Sequence, residues 1–379
     1  MARRELFSII ALLTIILLVT YVPKSASSMP NQNEIRVIVD MDAAPDDWQS
    51  ILYLLKHPDV TVIGIGVSCG VSYVDTGVTN TLGLLEYLDI DDIPVAAGKE
   101  TPLVTDHEFP TPWREASNNF YGLDLPTTTL QPSALNASDL IISLVENSES
   151  NVSLVALGPL TNLAIALDSE PTIKSKIDKI LLMGGAIDVP GNVGLESDIP
   201  NYVAEWNIWV DPHAADIVFR SGLQINMVAL DATNQVPQTQ AFLDRLGPII
   251  ATPEAQLLYN MVSPGLYFWD QLTVVTLTDP EVAAWEEHCI EIVVDLENHE
   301  GMTNSTDTGC NNARVAMTAD ASLFEDLFIG YINGELPSSS TTSSNTSGTT
   351  TPVDPLVLIT VGSGVVIACL IIIVAMKRR

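Results

Sequence analysis

Basic residues are scarce in this chain. Its 379 residues hold 16 Lys and Arg against 47 Asp and Glu, a formal net charge of −31. Six of the 16 basic residues fall in the first 28 and the last 3 positions, so the remainder is more acidic still. A surface of that sign repels phosphate backbones and anionic lipid, which argues against nucleic acid as a partner and favours solubility. Cysteine is scarce too, at 4 residues. Cys369 lies in a C-terminal apolar run and Cys69 in an apolar strand. Cys289 and Cys310 flank a Gly/Asn/Thr-rich loop, and whether they pair is left open by the sequence. No internal repeat is visible.

Long apolar runs are confined to the two ends. Residues 1–28 carry Arg3 and Arg4, an apolar stretch from Ile9 to Val19 and small residues at Ser25–Ser28, the three regions of a signal peptide. Residues 355–376 are apolar and uncharged and are followed by Lys377, Arg378 and Arg379. Roughly twenty such residues span a bilayer, and the basic end (377–379) marks a cytoplasmic tail. Between them and the core, 337–354 is a Ser/Thr-rich stalk. Sequons at Asn136, Asn151, Asn304 and Asn345 agree with export. The expectation is a glycosylated, single-span type I membrane protein at the cell surface or in an endomembrane lumen, with residues 34–336 as its ectodomain.

Within that core, Glu34–Leu55 sets the pattern. Ile35, Val37, Ile38 and Val39 read as a buried strand, and Trp48, Ile51, Leu52, Leu54 and Leu55 recur at helical spacing. Between them stand Asp40, Asp42, Asp46 and Asp47. Carboxylates crowded where a strand hands over to a helix repel one another unless a cation sits among them, and a hard divalent ion is the economical occupant. The blander reading makes them turn and helix-start residues. An aspartyl-phosphate phosphatase also places DxD after a strand, but Ala44 and Pro45 stand where that site wants Thr or Val.

Further along, strands are expected at Val60–Ser68, Ile93–Gly98, Val152–Leu157, Lys179–Met183, Ile225–Leu230 and Ile290–Val294. Helices are expected at Thr76–Leu88, Ser138–Asn147, Leu163–Leu167 and Asp211–Arg220. Lys99–Gln131, rich in Pro, Thr and aromatics, reads as a long loop of the kind that often covers a site. Alternating strands and helices predict an α/β fold, a doubly wound and mainly parallel open sheet, Rossmann-like, with helical additions after Asp231.

The motifs then resemble a family, the inosine-uridine preferring nucleoside hydrolases. DMDAAPDD (Asp40–Asp47) is similar to its DxDPGxDD signature. VALGPLTN (Val155–Asn162), LLMGGAIDVPGN (Leu181–Asn192), AEWNIWVDPHAA (Ala204–Ala215), LDAT (Leu230–Thr233) and FWDQLTVV (Phe268–Val275) resemble its later blocks, in order. The resemblance implies hydrolysis of a small-molecule nucleoside to base and ribose, in a salvage role. It implies Ca²⁺ held by Asp42, Asp47, the carbonyl of Thr161 and Asp270, with Asp42 as the base that activates a metal-bound water. Asp46, Asn192, Glu205 and Asn207 would hold the ribose hydroxyls, and Met183 would line the sugar pocket. Trp269 stands where broadly acting members have His, which resembles the purine-preferring branch. Trp113 is the natural second ring of a base sandwich, with Phe120 or Tyr121 as substitutes.

Three departures stand beside this. Ala43-Ala44-Pro45 replaces the family's Pro-Gly turn, Val71 stands where an Asn is usual, and the segment between Asn192 and Glu205 is longer, so that Asn201 competes with Asn192 for the 5′-hydroxyl. His107, His213 and His288 match no catalytic position. A non-catalytic surface protein binding a nucleoside or glycan is the rival reading, and a hydrolase of another N-riboside a third. Family members often form dimers or tetramers, so a homo-oligomer is an open arrangement.

Overall fold

The computed structural model describes residues 34–306 and 309–335. The main sheet is built from β1 (Ile35–Met41), β2 (Val60–Val67), β3 (Val95–Ala97), β4 (Val152–Ala156), β5 (Ile177–Met183), β6 (Ile225–Val228), β7 (Ala283–His288) and β10 (Ala313–Ala319). A small antiparallel pair, β8 (Ile290–Ile292) and β9 (Thr303–Ser305), stands apart from it. The order across the main sheet is β3-β2-β1-β4-β5-β6-β10-β7, parallel throughout except that β7 runs against β10.

Both faces of the sheet are buried, and the side-chain alternation of a strand divides them. On β1, Val37, Val39 and Met41 face one core with Leu181 and Met183 of β5. That core is closed by the helices Pro45–Lys56, Val74–Tyr87, Gln240–Leu246, Pro253–Met261, Trp269–Thr278 and Ala321–Ile332. Ile38 faces the opposite core with Ile180 and Leu182, closed by Ala137–Asn147, Thr161–Ser169 and Pro212–Phe219. The sheet is thus doubly wound, as its alternating strands and helices predict. The strand order reverses between β1 and β4, so their carboxyl ends diverge and open the crevice where such sheets bind ligands.

The C-terminal part differs from the sequence reading. Ile290–Val294 forms part of the small pair rather than the main sheet, and β7 and β10 were not foreseen. AAWEEH is a polar edge strand, exposed on one side, and carries little of the apolar signal by which strands are recognised. The long loop also holds a helix, Thr111–Ser117, and a tight turn at Phe120–Gly122. Cys289 and Cys310 form a disulfide, tying the start of β8 to the segment before β10.

The membrane topology is corrected. Among the described residues no helix is long and apolar enough to cross a membrane. The longest, Val74–Tyr87, has 14 residues, about 21 Å of helix against roughly 30 Å of hydrocarbon. The expected signal peptide (1–28), stalk (337–354), span (355–376) and tail (377–379) lie outside the described residues. The single-span anchor, the type I topology, the cell-surface or endomembrane location and the glycoprotein reading that depended on them are withdrawn. Asn136 has a structural use instead: its carboxamide caps the helix Ala137–Asn147, accepting from Asp139 N and donating to Asp139 Oδ2.

Candidate active site

β1 delivers Asp40 and Asp42 to the crevice. Asp40 is buried and accepts 2.8 Å from Asn162 Nδ2. Burial pushes its carboxyl up to about 7, the Asn162 hydrogen bond opposes this, and the Asp42 charge adds to it. The chain then turns through Ala43 at φ 58°, the left-handed region, which costs an L-residue about 1–2 kcal/mol. Ser72 holds the turn, its N–H donating to Asp42 O and its hydroxyl to Ala43 O.

Pro45 opens the next helix with Asp46 and Asp47 in its first turn, and Asp270 lies in the first turn of Trp269–Thr278, which packs against it. Two helix amino termini, both favourable to negative charge, therefore converge. Carboxylate oxygens of Asp46, Asp47 and Asp270 all lie within 4.8 Å of one another. Asp47 Oδ2 accepts from Ala44 N at 2.7 Å, while Oδ1 is buried with no partner. Asp42 accepts from Val71 N at 2.9 Å. Val71 therefore serves through its backbone, whatever its side chain.

Burial is the first cause of every shift in this group. It raises Asp42 to about 6 and, with the Asp42 charge, Asp46 to about 7. Asp47 is driven well up by burial and by Asp270, Asp42 and Asp46, and Asp270 by burial, Asp46 and Asp42. Among the described residues none of these carboxylates pairs with Lys or Arg. Buried acids without counter-charge, one with an orphaned oxygen, suit a hard cation. The donors fit it, although the tight triad contains Asp46 where the sequence assigns Asp42 to the ion and Asp46 to the sugar.

The turn after β4 closes the other side. A Cβ on Gly158 would come within 2.8 Å of Asp42 Cβ, and one on Gly70 within 2.1 Å of Asp42 Oδ2, so only glycine lets both segments embrace this carboxylate. Thr161 is fully buried and its hydroxyl donates 2.7 Å to Asp211 Oδ2. Asp211 also accepts from Leu103 N and Ala214 N, a junction the sequence reading missed. Its signal was an Asp-Pro pair at a helix start.

Met183 ends β5, and Asn207 Nδ2 donates to Leu157 O at 2.9 Å and Met183 O at 3.3 Å, bridging the ends of β4 and β5. Glu205 caps the helix Trp206–Val210 through Asn207 N and Ile208 N and accepts from Gly185 N as well. Burial raises it to about 7 against those three donors. Asn192 accepts from Trp206 N at 3.2 Å. Asn201 donates to Glu300 O, 99 residues away, and accepts from Val203 N and Ala204 N within its own loop.

The aromatic residues fall into two groups. Trp113 packs edge-on to Trp206, ring centres 5.5 Å apart, and near Phe109 at 6.3 Å. Trp269 sits half-buried beside Tyr267 at 5.9 Å, its Nε1 buried without a partner. Trp113 and Trp269 do not touch among the described ring contacts. Phe120 stacks on Trp48 at 4.0 Å, which removes it as a base platform, and the Tyr121 hydroxyl donates to Trp113 O at 3.2 Å.

A doubly wound sheet whose switch-point crevice gathers buried carboxylates beside the polar side chains of Glu205 and Asn207 describes a metal-assisted hydrolase. The model of the inosine-uridine preferring nucleoside hydrolases matches residues 37–326, and the chain belongs to that family. It is a nucleoside N-ribohydrolase of metal-dependent type, and the reading as a non-catalytic binding module is set aside. It is 33% identical over 283 residues to a pyrimidine-specific ribonucleoside hydrolase (RihA) of Shewanella sp. (strain ANA-3), covering 70% of this chain and 85% of that one. Among solved structures it resembles the purine-preferring ribonucleoside hydrolase from Gardnerella vaginalis, with TM-score 0.70, 28% identity, and 79% and 98% of the two chains covered. A plant nucleoside hydrolase, PpNRh1, gives TM-score 0.69, 29% identity, and 79% and 99% coverage.

Proposed function

We propose that this enzyme is Ca²⁺-dependent and prefers purine ribonucleosides, with Asp42 as the general base. The observation that carries the metal reading is the buried, partnerless Asp47 Oδ1 within a carboxylate group that no basic residue neutralises. Asp42, Asp47, Asp270 and the Thr161 carbonyl would hold the ion, with Asp46 beside them. Oxygen-only donors of this number suit Ca²⁺. When bound, the ion would acidify a water and fix the 2′- and 3′-hydroxyls.

Asp42 then takes a proton from the attacking water, its carboxylate aimed by Val71 N and hemmed by Gly70 and Gly158. Asn207 and Glu205 orient the ribose, each locked by hydrogen bonds to backbone, so the sugar meets a preformed surface. The glycosidic bond breaks through an oxocarbenium-like sugar, and the negative neighbourhood stabilises that positive charge. The electron pair leaves with the base. Trp269 stacks on a purine and eases its departure.

A pyrimidine preference is the second reading, favoured by the name of the Shewanella relative. Hydrolysis of inosine, adenosine, guanosine, uridine and nicotinamide riboside by wild type, beside Asp42→Ala and with bound calcium measured, separates the readings. Purine turnover lost in the variant supports the proposal. Better turnover of uridine retains the base and removes the stacking argument. A metal-free, fully active enzyme sinks the role of the ion.

A further inference from the structure

Two glutamines lie buried between the helices that present the acidic residues. Gln49 follows Asp47 by two positions, and Gln271 directly follows Asp270. Their side chains are 1% and 0% exposed, and Gln271 Nε2 donates to Gln49 Oε1 at 3.0 Å. Around them the two helices meet through apolar contacts, with Trp48, Ile51, Leu52, Leu272, Val274 and Val275 all in one core. Apolar surfaces of this kind slide at little cost, whereas a directional amide pair in a dry interface permits one register. Breaking it leaves a carboxamide unpaired where water does not reach.

The pair also carries a cost. Gln271 Oε1 is buried without a partner, so two apolar side chains of the same shape would satisfy the interface better. An arrangement that is worse for stability than its simplest replacement calls for a reason in geometry. The nearest geometry is that of Asp46, Asp47 and Asp270, whose oxygens are gathered within 4.8 Å from these two helices. We propose that Gln49 and Gln271 are positioning residues: their hydrogen bond fixes the register of Trp269–Thr278 on Pro45–Lys56 and so sets Asp270 against Asp46 and Asp47 for cation binding. The proposal rests on the reading of those carboxylates as the metal site.

The test uses Gln49→Met, Gln271→Met and the double variant, methionine being close to glutamine in shape. Calcium affinity is measured by calorimetry and thermal stability in chelator. Each single variant is expected to melt lower without metal and to bind Ca²⁺ about 10- to 100-fold more weakly, the range for residues that orient metal ligands. In the double variant the metal-free melting temperature is expected to recover while Ca²⁺ affinity stays weak. A merely structural pair would move the melting temperature alone. Unchanged affinity in the single variants, or affinity restored with stability in the double variant, would overturn the positioning role and leave the metal site standing. Absence of calcium binding by wild type would remove the metal reading itself, and this role with it.

Discussion

Val71 N donates to Asp42 Oδ2 at 2.9 Å across 29 residues of chain, joining the loop after β2 to the end of β1. The bond aims the carboxylate that we assign as general base. Asp42→Asn keeps the size and the acceptor oxygen but removes the basicity. Its kcat is expected to fall by about 10²- to 10⁴-fold, the usual share of general acid–base catalysis. Steady-state kinetics with the better nucleoside check this. Turnover within a few-fold of wild type would move the base elsewhere.

The same loop brings Gly70 against that oxygen, where a Cβ would come within 2.1 Å of Oδ2 and 2.3 Å of Cβ. Gly70→Ala must therefore shift either the loop or Asp42. Overpacking of this kind costs about 1–3 kcal/mol of stability, and displacing a reacting group by about 1 Å can cost roughly 10² in rate. Denaturant unfolding and kcat are the measurements. A stable variant with wild-type kcat would show that the contact relaxes without consequence.

The part of this region that is legible in the sequence is the handover from β1 to the helix Pro45–Lys56. Asp40, Asp42, Asp46 and Asp47 crowd between an apolar strand and a helical period, Asp270 is picked out only by the family resemblance of FWDQLTVV, and β1, β4 and β5 carry continuous apolar runs that only a buried parallel strand needs. The strip that fastens the long loop could not be read this way. Leu103 N bonds Asp211, Thr105 bonds Val210 O, and His107 lies flat on Trp209 at 4.0 Å. None of these has a period or a motif; each exists only because two distant segments run side by side. β7 and the Gln49–Gln271 pair were hidden for the same reason.

Acidity should act on the metal-free enzyme in an unusual direction. Asp40, Asp46 and Glu205 are raised to about 7 and Asp42 to about 6, each chiefly by burial, from ordinary values of 3.8 for Asp and 4.5 for Glu. Between those limits the folded chain holds protons that the unfolded chain has released, so stability falls as pH rises through this window. In chelator the melting temperature is expected to drop from about pH 5 to about pH 7.5, and Asp40→Asn to reduce the slope. Added Ca²⁺ requires the ionised carboxylates, so its stabilising increment grows with pH. A chelated melting temperature that is flat or rises over this range would contradict the burial argument.

Trp269 opens the helix that carries Asp270 and remains half-buried with an unpaired indole N–H. Stacking of an aromatic side chain on a base contributes about 1–3 kcal/mol. Trp269→Ala is therefore expected to raise KM for inosine by roughly 10-fold or more and to change uridine less, since the smaller ring stacks less. Equal losses for the two substrates would mean that Trp269 shapes the pocket without selecting the base.

The loop bearing Trp113 is held at one more point. Arg114, 6% exposed, donates to Glu100 Oε1 at 2.7 Å, lies 3.4 Å from Glu108 and covers the Tyr73 ring at 4.3 Å. Glu100 in turn accepts from Val74 N, at the start of the helix Val74–Tyr87. The guanidinium thus joins the loop to the segment that supplies Val71 and Ser72 to Asp42. Arg114→Met keeps the stem over Tyr73 and removes the charge. Breaking a fully buried pair costs about 3–5 kcal/mol, but these glutamates are 49% and 61% exposed, so a loss of about 1–2 kcal/mol is expected. The functional effect should fall on KM, because the chemistry at Asp42 keeps its Val71 hydrogen bond while Trp113 loses its anchorage. A fall in kcat at constant KM would instead mean that the guanidinium supports the loop after β2 more than the loop that carries Trp113.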